Sequence, residues 1–246
     1  MPDLAGKVAL VTGGGRRLGR AIAEALGDDG ACLAVHYHTS SAGARQVVDR
    51  FGADRASVFQ TDLRDAVQAE ALPRRVADAM GRLDILVNSA AIMVRQPFGQ
   101  VTPDGWAAVL DLNLRAPFFV AQGAAPYLRE RRGLIVNISD ASSRDPWPSY
   151  LPHSMSKAGI QILTRGLAQI LAPEVRVNGI IPGAVLLPGD YDHDAERRAI
   201  ERTPLKRLGT AADVVAAVRF LLTTDYATGS TVVVDGGASI KARGDG

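Results

Sequence analysis

Apolar residues in this chain gather in short runs, never in long ones. Seven such runs, rich in β-branched side chains, recur along it: Lys7–Thr12, Ala31–Tyr37, Ala56–Gln60, Leu83–Asn88, Gly133–Ser139, Val175–Ile181 and Thr231–Asp235. They lack polar alternation, which suits strands buried on both faces of a parallel sheet. Between them the spacing turns helical, as in Leu18–Asp28 (Leu18, Ile22, Ala25, Leu26) and Ala211–Leu222 (Val214, Val215, Val218, Leu221, Leu222). Strand and helix alternating throughout predict an α/β fold, a doubly wound parallel sheet of seven strands. Neither an internal repeat nor a low-complexity linker divides the chain, so residues 1–246 are expected to form a single domain. One stretch, Pro182–Leu208, breaks the rhythm with Pro182, Gly183, Pro188, Gly189 and Pro204. It is too long for an ordinary connection and reads either as a lid over a substrate or as a structural excursion.

Composition narrows the classes. The 246 residues are 47% hydrophobic and 22% charged, which excludes a disordered chain. No apolar run approaches the roughly 20 residues of a membrane helix. The start, Met1–Lys7, lacks the basic and apolar regions of a secretory signal, so a cytoplasmic protein without membrane partners is expected. A net charge of +2 makes no electrostatic claim on nucleic acid. The single cysteine, Cys32, excludes an internal disulfide and Cys-rich zinc spacing, and no metal site is expected.

The chemistry begins directly after the first strand, at Thr12-Gly13-Gly14-Gly15-Arg16-Arg17-Leu18-Gly19. Glycines there let the chain turn sharply and bring backbone N–H groups against a pyrophosphate at a helix N-terminus. The alternative is a loop whose glycines serve only the turn. Further along stand Asn88-Ser89-Ala90-Ala91 after the fourth strand, then Asn113, Pro182-Gly183 and Val234-Asp235-Gly236-Gly237. Taken together over nearly the whole chain, these motifs resemble the short-chain dehydrogenase/reductase superfamily, which implies a single-domain Rossmann fold. Within it the chain is most similar to the pteridine and dihydromonapterin reductases. The shared features are Arg17 in place of a middle glycine, the string His36-Tyr37-His38-Thr39-Ser40, and Asn113-Leu114-Arg115-Ala116-Pro117-Phe118.

The cofactor has a separate argument. A site for NAD usually places Asp or Glu at the end of the second strand to hold the ribose hydroxyls. Here that end reads His36-Tyr37-His38-Thr39-Ser40-Ser41, without a carboxylate. Hydroxyls and imidazoles can donate to a 2′-phosphate, and Arg17 adds positive charge, so NADPH is expected over NADH. The bland alternative for His36 and His38 is a solvated loop. The resemblance implies that Gly13, Arg16, Arg17, Leu18 and Gly19 hold the phosphates and Tyr37, His38, Thr39 and Ser40 the ribose phosphate. It places Asp62 and Leu63 beside the adenine, and Ser89, Ala90, Ala91, Lys157, Pro182, Gly183 and Val185 along the rest of the cofactor.

The superfamily signature is Tyr-x-x-x-Lys, with Ser thirteen residues before the Tyr. This chain carries Lys157, but His153 stands at the tyrosine position and Asp140 at the serine position. The Asp matches the pteridine-type reductases and the His does not. Four residues apart, His153 and Lys157 share a helix face. The Lys⁺ would favour a neutral imidazole, which still donates one N–H. Asp140, at the end of the fifth strand, is expected to be partly buried, with a raised pKa that lets it deliver a proton. Its alternative is a turn cap in Ser139–Ser143. Tyr150 is a further candidate phenol, although Pro152 is expected to start the helix just after it. Asn113 is expected to order Lys157 through water, as the resemblance implies.

An Asp with a His suits reduction of a cyclic C=N better than of a ketone. The nitrogen is basic, and Asp140 can stabilise an iminium as a carboxylate or protonate the nitrogen as an acid. A cyclic substrate, dihydropterin-like or a cyclic imine, is therefore expected against Arg17, Met93, Asp140, Trp147, His153 and Leu187. Met93 stands where pteridine reductases present an aromatic ring, and Ala91 where they carry Ser; Trp147 can supply an aromatic wall instead. Two other readings stand beside this one: a carbonyl reductase of the oxoacyl-carrier-protein type, and a silent NADP(H)-binding protein that lost its tyrosine. A homotetramer is also expected, because the helices near Asp104–Arg129 and Ser154–Leu171 bundle across a two-fold axis in the superfamily. Ile160, Ile162, Leu163, Leu167, Ile170 and Leu171 spread too widely to face only one sheet.

Overall fold

The computed structural model of the chain describes residues 2–186 and 193–240. All seven apolar runs become strands, with ends that move by no more than two residues. In chain order the elements are β1 (Val8–Val11), α1 (Arg17–Asp28), β2 (Cys32–Tyr37), α2 (Ser41–Phe51), β3 (Ala56–Gln60), α3 (Ala66–Met80) and β4 (Ile85–Asn88). There follow α4 (Pro103–Leu110), α5 (Ala116–Arg131), β5 (Leu134–Ile138), α6 (Leu151–Leu171), β6 (Arg176–Pro182), α7 (His193–Arg202), α8 (Ala211–Thr223) and β7 (Thr231–Val234). The strands form one sheet in the order β3-β2-β1-β4-β5-β6-β7. Every pairing is parallel, with Val11 set between Val35 and Val87 in the central register.

Both faces are covered, which is why these strands read as continuous apolar runs. One face packs Ala9 and Val11 of β1, with Val35 and Val87 beside them, against Ile22 and Leu26 of α1, Val47 of α2 and Val218 and Leu221 of α8. The other packs Leu10, Leu86 and Ile135 against Leu72 and Val76 of α3, Val120 and Leu128 of α5, and Leu167 and Leu171 of α6. With both faces closed, polar chemistry is left to the strand ends. The order reverses between β1 and β4, so the crevice at their C-terminal ends is where an open α/β sheet binds its ligand.

Two departures from the sequence expectation bear on the site. The long helix expected from Asp104 to Arg129 is two helices joined by a π-helical turn, Asp111–Arg115. The wider turn carries Asn113 to the inside, where it is 1% exposed. The irregular stretch Pro182–Leu208 is partly ordinary structure, because Pro182 ends β6 and His193–Arg202 is helical. That helix has the sequence HDAERRAIER, charged almost all round, so apolar spacing gave no sign of it. The two ends of the excursion are clasped, with Val185 bridged to Gly209 and the Gly209 N–H donating to the Ala184 carbonyl at 3.0 Å. Among the described residues no helix is long and apolar enough to cross a membrane.

Candidate active site

The glycine turn closes between β1 and α1. Gly13 adopts φ +67°, a region that favours glycine, and a methyl group at Gly19 would collide with the Gly13 carbonyl. Arg17 also takes a left-handed conformation, at φ +49°. Arg16 caps α1 without a side-chain hydrogen bond, which leaves first-turn N–H groups of the helix facing outward for an anion. Thr12 Oγ1 ties this turn to the loop after β4, accepting from Ser89 N at 2.9 Å and Ala90 N at 3.1 Å. Arg16 and Arg17 are exposed, and Arg17 Nη2 donates to the Leu186 carbonyl, joining the glycine turn to the start of the Pro182–Leu208 excursion.

The string after β2 divides in two. His36 is expected from the sequence as a donor to a ribose phosphate, and the structure corrects this. It lies inside β2, 3% exposed, with Nδ1 accepting from the Gly13 N–H at 3.0 Å and Nε2 at 3.0 Å from the Thr61 carbonyl. One nitrogen must accept and the other donate, so the ring is neutral with its hydrogen on Nε2. Burial pushes its pKa down to about 4. His36 is a strut under the glycine turn. Tyr37, His38, Thr39 and Ser40 do lie at the strand's end, with His38 and Thr39 exposed. Asp62 stands opposite, 3.7 Å from His38, and a hydrogen-bonded ion pair with Arg64 holds its carboxyl at about 2. Leu63 is buried in the core beneath.

At the ends of β4 and β5 the catalytic candidates converge. Asp140 Oδ2 lies 2.6 Å from His153 Nε2, and Asp140 Oδ1 accepts from Ser142 N at 2.9 Å and Ser142 Oγ at 2.5 Å. Asp140 therefore caps the turn, as its alternative reading has it, and also faces His153. Its expected raised pKa is corrected. Burial is the largest single influence and does raise it, but the hydrogen bond from His153, the charge of Lys157 and the Ser142 hydroxyl together outweigh burial. The carboxyl ends below its ordinary value, and Asp140 is a carboxylate at neutral pH.

Lys157, 5% exposed, donates from Nζ to the Ile138 carbonyl at 3.0 Å, while Ser139 Oγ donates to the Lys157 carbonyl at 2.9 Å. Burial pushes the ammonium down, and the Asp140 carboxylate partly restores it. The direct hydrogen bonds of Asn113 go to the loop after β4 and to α6. Its amide accepts from Ile92 N at 2.9 Å, donates to Ile92 O at 2.8 Å, and lies 3.2 Å from His153 Nδ1 and 3.2 Å from Ser156 Oγ. Trp147 stacks on His153, with ring centroids 6.2 Å apart and planes 16° off parallel. Tyr150 stands edge-on to Trp147. Its hydroxyl takes no part in the hydrogen bonds of Asp140, His153 or Lys157. Met93 and Trp147 are 40% and 36% exposed beside this cluster, and Leu187 lies outside the described residues. Ile92, Ser142 and Ser156 are not singled out by the sequence; Ile92 acts through its backbone, which no side-chain pattern marks.

The chain and its fold match known proteins over nearly the whole length. The family described as enoyl-(acyl carrier protein) reductase matches residues 14–239. A 3beta-hydroxysteroid dehydrogenase of Eggerthella lenta is 34% identical, the alignment covering 97% of this chain and 95% of that one. A 3-oxoacyl-[acyl-carrier-protein] reductase of Staphylococcus aureus is 33% identical over 94% of this chain and 97% of the relative. The chain belongs to the short-chain dehydrogenase/reductase superfamily. Its members are NAD(P)-dependent oxidoreductases, and so is this one. Among solved structures, a blue fluorescent protein from a metagenomic library in complex with NADPH is 32% identical, with a TM-score of 0.89 over 96% of this chain and 99% of that chain. A short-chain dehydrogenase/reductase (glucose/ribitol dehydrogenase) from Brucella melitensis is 27% identical, with a TM-score of 0.88 over 96% and 98% of the two chains.

The strut at His36 makes stability depend on pH in a defined direction. The folded chain resists protonating it down to about pH 4, whereas the unfolded chain takes up the proton near 6.5. Its contribution is complete above pH 6.5 and is lost as pH falls toward 4, on the order of 2 kcal/mol of it between pH 7 and 5. Urea unfolding at the two pH values should show this loss in the natural chain and most of it abolished in His36→Gln. Equal losses in both proteins would contradict the assignment.

Proposed function

We propose that the chain is an NADPH-dependent reductase of a C=N bond in a cyclic substrate, dihydropterin-like or a cyclic imine. The observation that carries this is the ionised Asp140 in hydrogen bond with His153, at the place where a ketone reductase of the superfamily uses a serine and a phenol. The residues present fit the cofactor. The first turn of α1, after the glycines, has no side-chain cap, and the loop after β2 offers His38, Thr39 and Ser40 with no carboxylate of its own. Gly13, Arg16, Arg17, Leu18 and Gly19 would hold the phosphates, and Lys157 the nicotinamide ribose. Bound NADPH supplies the hydride.

The chain's own groups handle charge. A protonated C=N nitrogen is a cation, and a fixed carboxylate in a half-buried site stabilises it far more than water-exposed charge does. Asp140 is held for that task by His153 and Ser142, so little reorganisation accompanies binding. Met93 and Trp147 offer an apolar and an aromatic surface for a flat ring. Arg17, tied to Leu186, would border the substrate from the cofactor side. A second reading, a carbonyl reductase, is favoured by the names of the 34% and 33% identical relatives, a hydroxysteroid dehydrogenase and an oxoacyl-carrier-protein reductase. Carbonyl reduction requires a proton for a developing alkoxide, which a carboxylate with a lowered pKa does not supply.

We also propose that the protein works as a homotetramer of identical chains. Trp106 on α4, Phe118 on α5 and Met155, Ile162 and Ile170 on α6 are 40% to 67% exposed, more apolar surface than one sheet can account for. Light scattering at micromolar concentration should give a mass near four chains, and a monomer would refute this. For the chemistry, NADPH oxidation is to be followed with dihydrobiopterin and a panel of cyclic imines, and with ketones for comparison. Activity is expected on the C=N compounds, and Asp140→Ala should lower it by about 10² to 10⁴. A neutral Asp140→Ala, or activity confined to ketones, would establish the carbonyl reading instead.

A further inference from the structure

Three loops border the crevice where the strand order reverses: the glycine turn, the loop after β3 and the loop after β4. Hydrogen bonds join them into a closed circuit. The Gly13 N–H donates to His36, and His36 donates to the Thr61 carbonyl just after β3. Beyond Thr61, Arg64 grips Asp62 with Nε at 3.0 Å, Nη2 at 2.8 Å and its backbone N–H at 3.0 Å, which folds that loop into one tight unit. The unit presents the Arg64 carbonyl to Arg115, whose Nη2 donates to it. Arg115 Nη1 lies 3.1 Å from Asp111 Oδ1, so the same guanidinium spans the π-helical turn from its last residue to its first. Inside that turn Asn113 accepts from the Ile92 N–H at 2.9 Å and donates back to the Ile92 carbonyl at 2.8 Å. Ser89 and Ala90, on the same loop as Ile92, donate to Thr12, which leads back to Gly13.

Arg115 differs from the other side chains that cross between elements in this circuit. His36, Thr12 and Asn113 are buried, whereas the Arg115 side chain is 45% exposed. An exposed pair with Asp111 alone contributes little. Here the planar fork divides its donors between a carboxylate of its own turn and a backbone carbonyl of another element, and so holds the two in one fixed relation.

We propose that Arg115 is a positioning residue for the cofactor: it closes the circuit, so that occupancy of the adenosine end beside His38 and Asp62 steadies the π-helical turn and, through Asn113, the loop at Ile92. His38 and Asp62 stand 3.7 Å apart at the ends of β2 and β3, and Asp62 is gripped by Arg64. A ligand that holds this loop still also holds the Arg64 carbonyl, and the fork passes the restriction to the turn. Such coupling works through lost motion and needs no displacement. It is independent of which bond the hydride reaches. One rival route runs beside it. Helix α3 follows the loop and packs closely on α5, where a methyl group at Gly123 would collide with the Glu70 carbonyl and Gln122 donates to Glu70 at 2.9 Å. That packing would couple the same elements without Arg115.

The probe is adenosine 2′,5′-bisphosphate, which carries the adenosine end of NADPH and no nicotinamide. Hydrogen–deuterium exchange of the full chain is read by mass spectrometry, with and without saturating probe. In the natural chain the peptides of the loop after β3 should be protected, and those containing Ile92 and Asn113 should exchange more slowly by about fivefold or more. In Arg115→Met the first protection should remain and the second should be lost. A loss of stability alone would speed exchange with and without the probe and leave the difference in place. If that variant does not fold, Arg115→Lys, which keeps the charge without the planar fork, carries the same expectation. Equal slowing at Ile92 in the natural chain and the variant would assign the coupling to the packing of α3 on α5 and overturn the proposal. No slowing at Ile92 in the natural chain would overturn it as well. Failure of the probe to protect the loop after β3 would remove the adenosine end from this place, and the proposal with it.

Discussion

The hydrogen bond between Asp140 and His153 organises this molecule's active end. It joins the tip of β5 to the first turn of α6, and backbone and side-chain groups from three neighbouring segments position it. Ser142 fixes one carboxylate oxygen, His153 the other, and the ring is fixed in turn by Asn113 and Ile92. Asn113 reaches the ring because the helix that carries it is wound one residue too wide at Asp111–Arg115. A regular α-helix would direct that side chain elsewhere. The carboxylate thus gains its charged form from neighbours that cannot drift, and the pair is pre-set before any ligand arrives.

The same constraint runs through the sheet. A parallel sheet covered on both faces has no room for polar side chains except where they pair with one another or with the backbone. Asn88 donates to Asn137, Asn137 to Thr164 and Thr164 to the Ile160 carbonyl, a buried line from β4 across β5 to α6. On the other side of the switch point His36 and Thr12 tie the glycine turn to β2, β3 and the loop after β4. Polar residues inside the core therefore lock together the ends of the central strands, and the reactive groups stand on that locked edge.

How much of this is legible in the sequence follows from what each feature depends on. The strands are legible because double-sided burial writes itself as β-branched runs. The pairing of His153 with Lys157 is legible as one turn of helix, and that of Asp140 with His153 only through the offset that the superfamily resemblance implies. The direction of Asp140's pKa is not, since burial and three neighbours compete and only the distances decide. His36 reads as part of a phosphate-facing loop, although the strand run Ala31–Tyr37 includes it. A histidine inside a run buried on both faces must have partners, and that is the available signal. The role of Ile92 lies in a carbonyl, which the sequence cannot mark, and α7 has too little apolar spacing to announce itself.

In the proposed function the chemistry turns on two positions, Asp140 and His153, read as standing where the superfamily's signature has serine and tyrosine. On that proposal a carboxylate that steadies a cation takes the place of a phenol that gives its proton to an alkoxide. The most direct measurement exchanges both at once, in Asp140→Ser combined with His153→Tyr, and compares kcat/KM for a cyclic imine with that for a ketone. The account predicts that the ratio shifts toward the ketone by about 10² or more, with imine reduction falling and ketone reduction rising. An unchanged ratio, or imine reduction that survives the exchange, would contradict it.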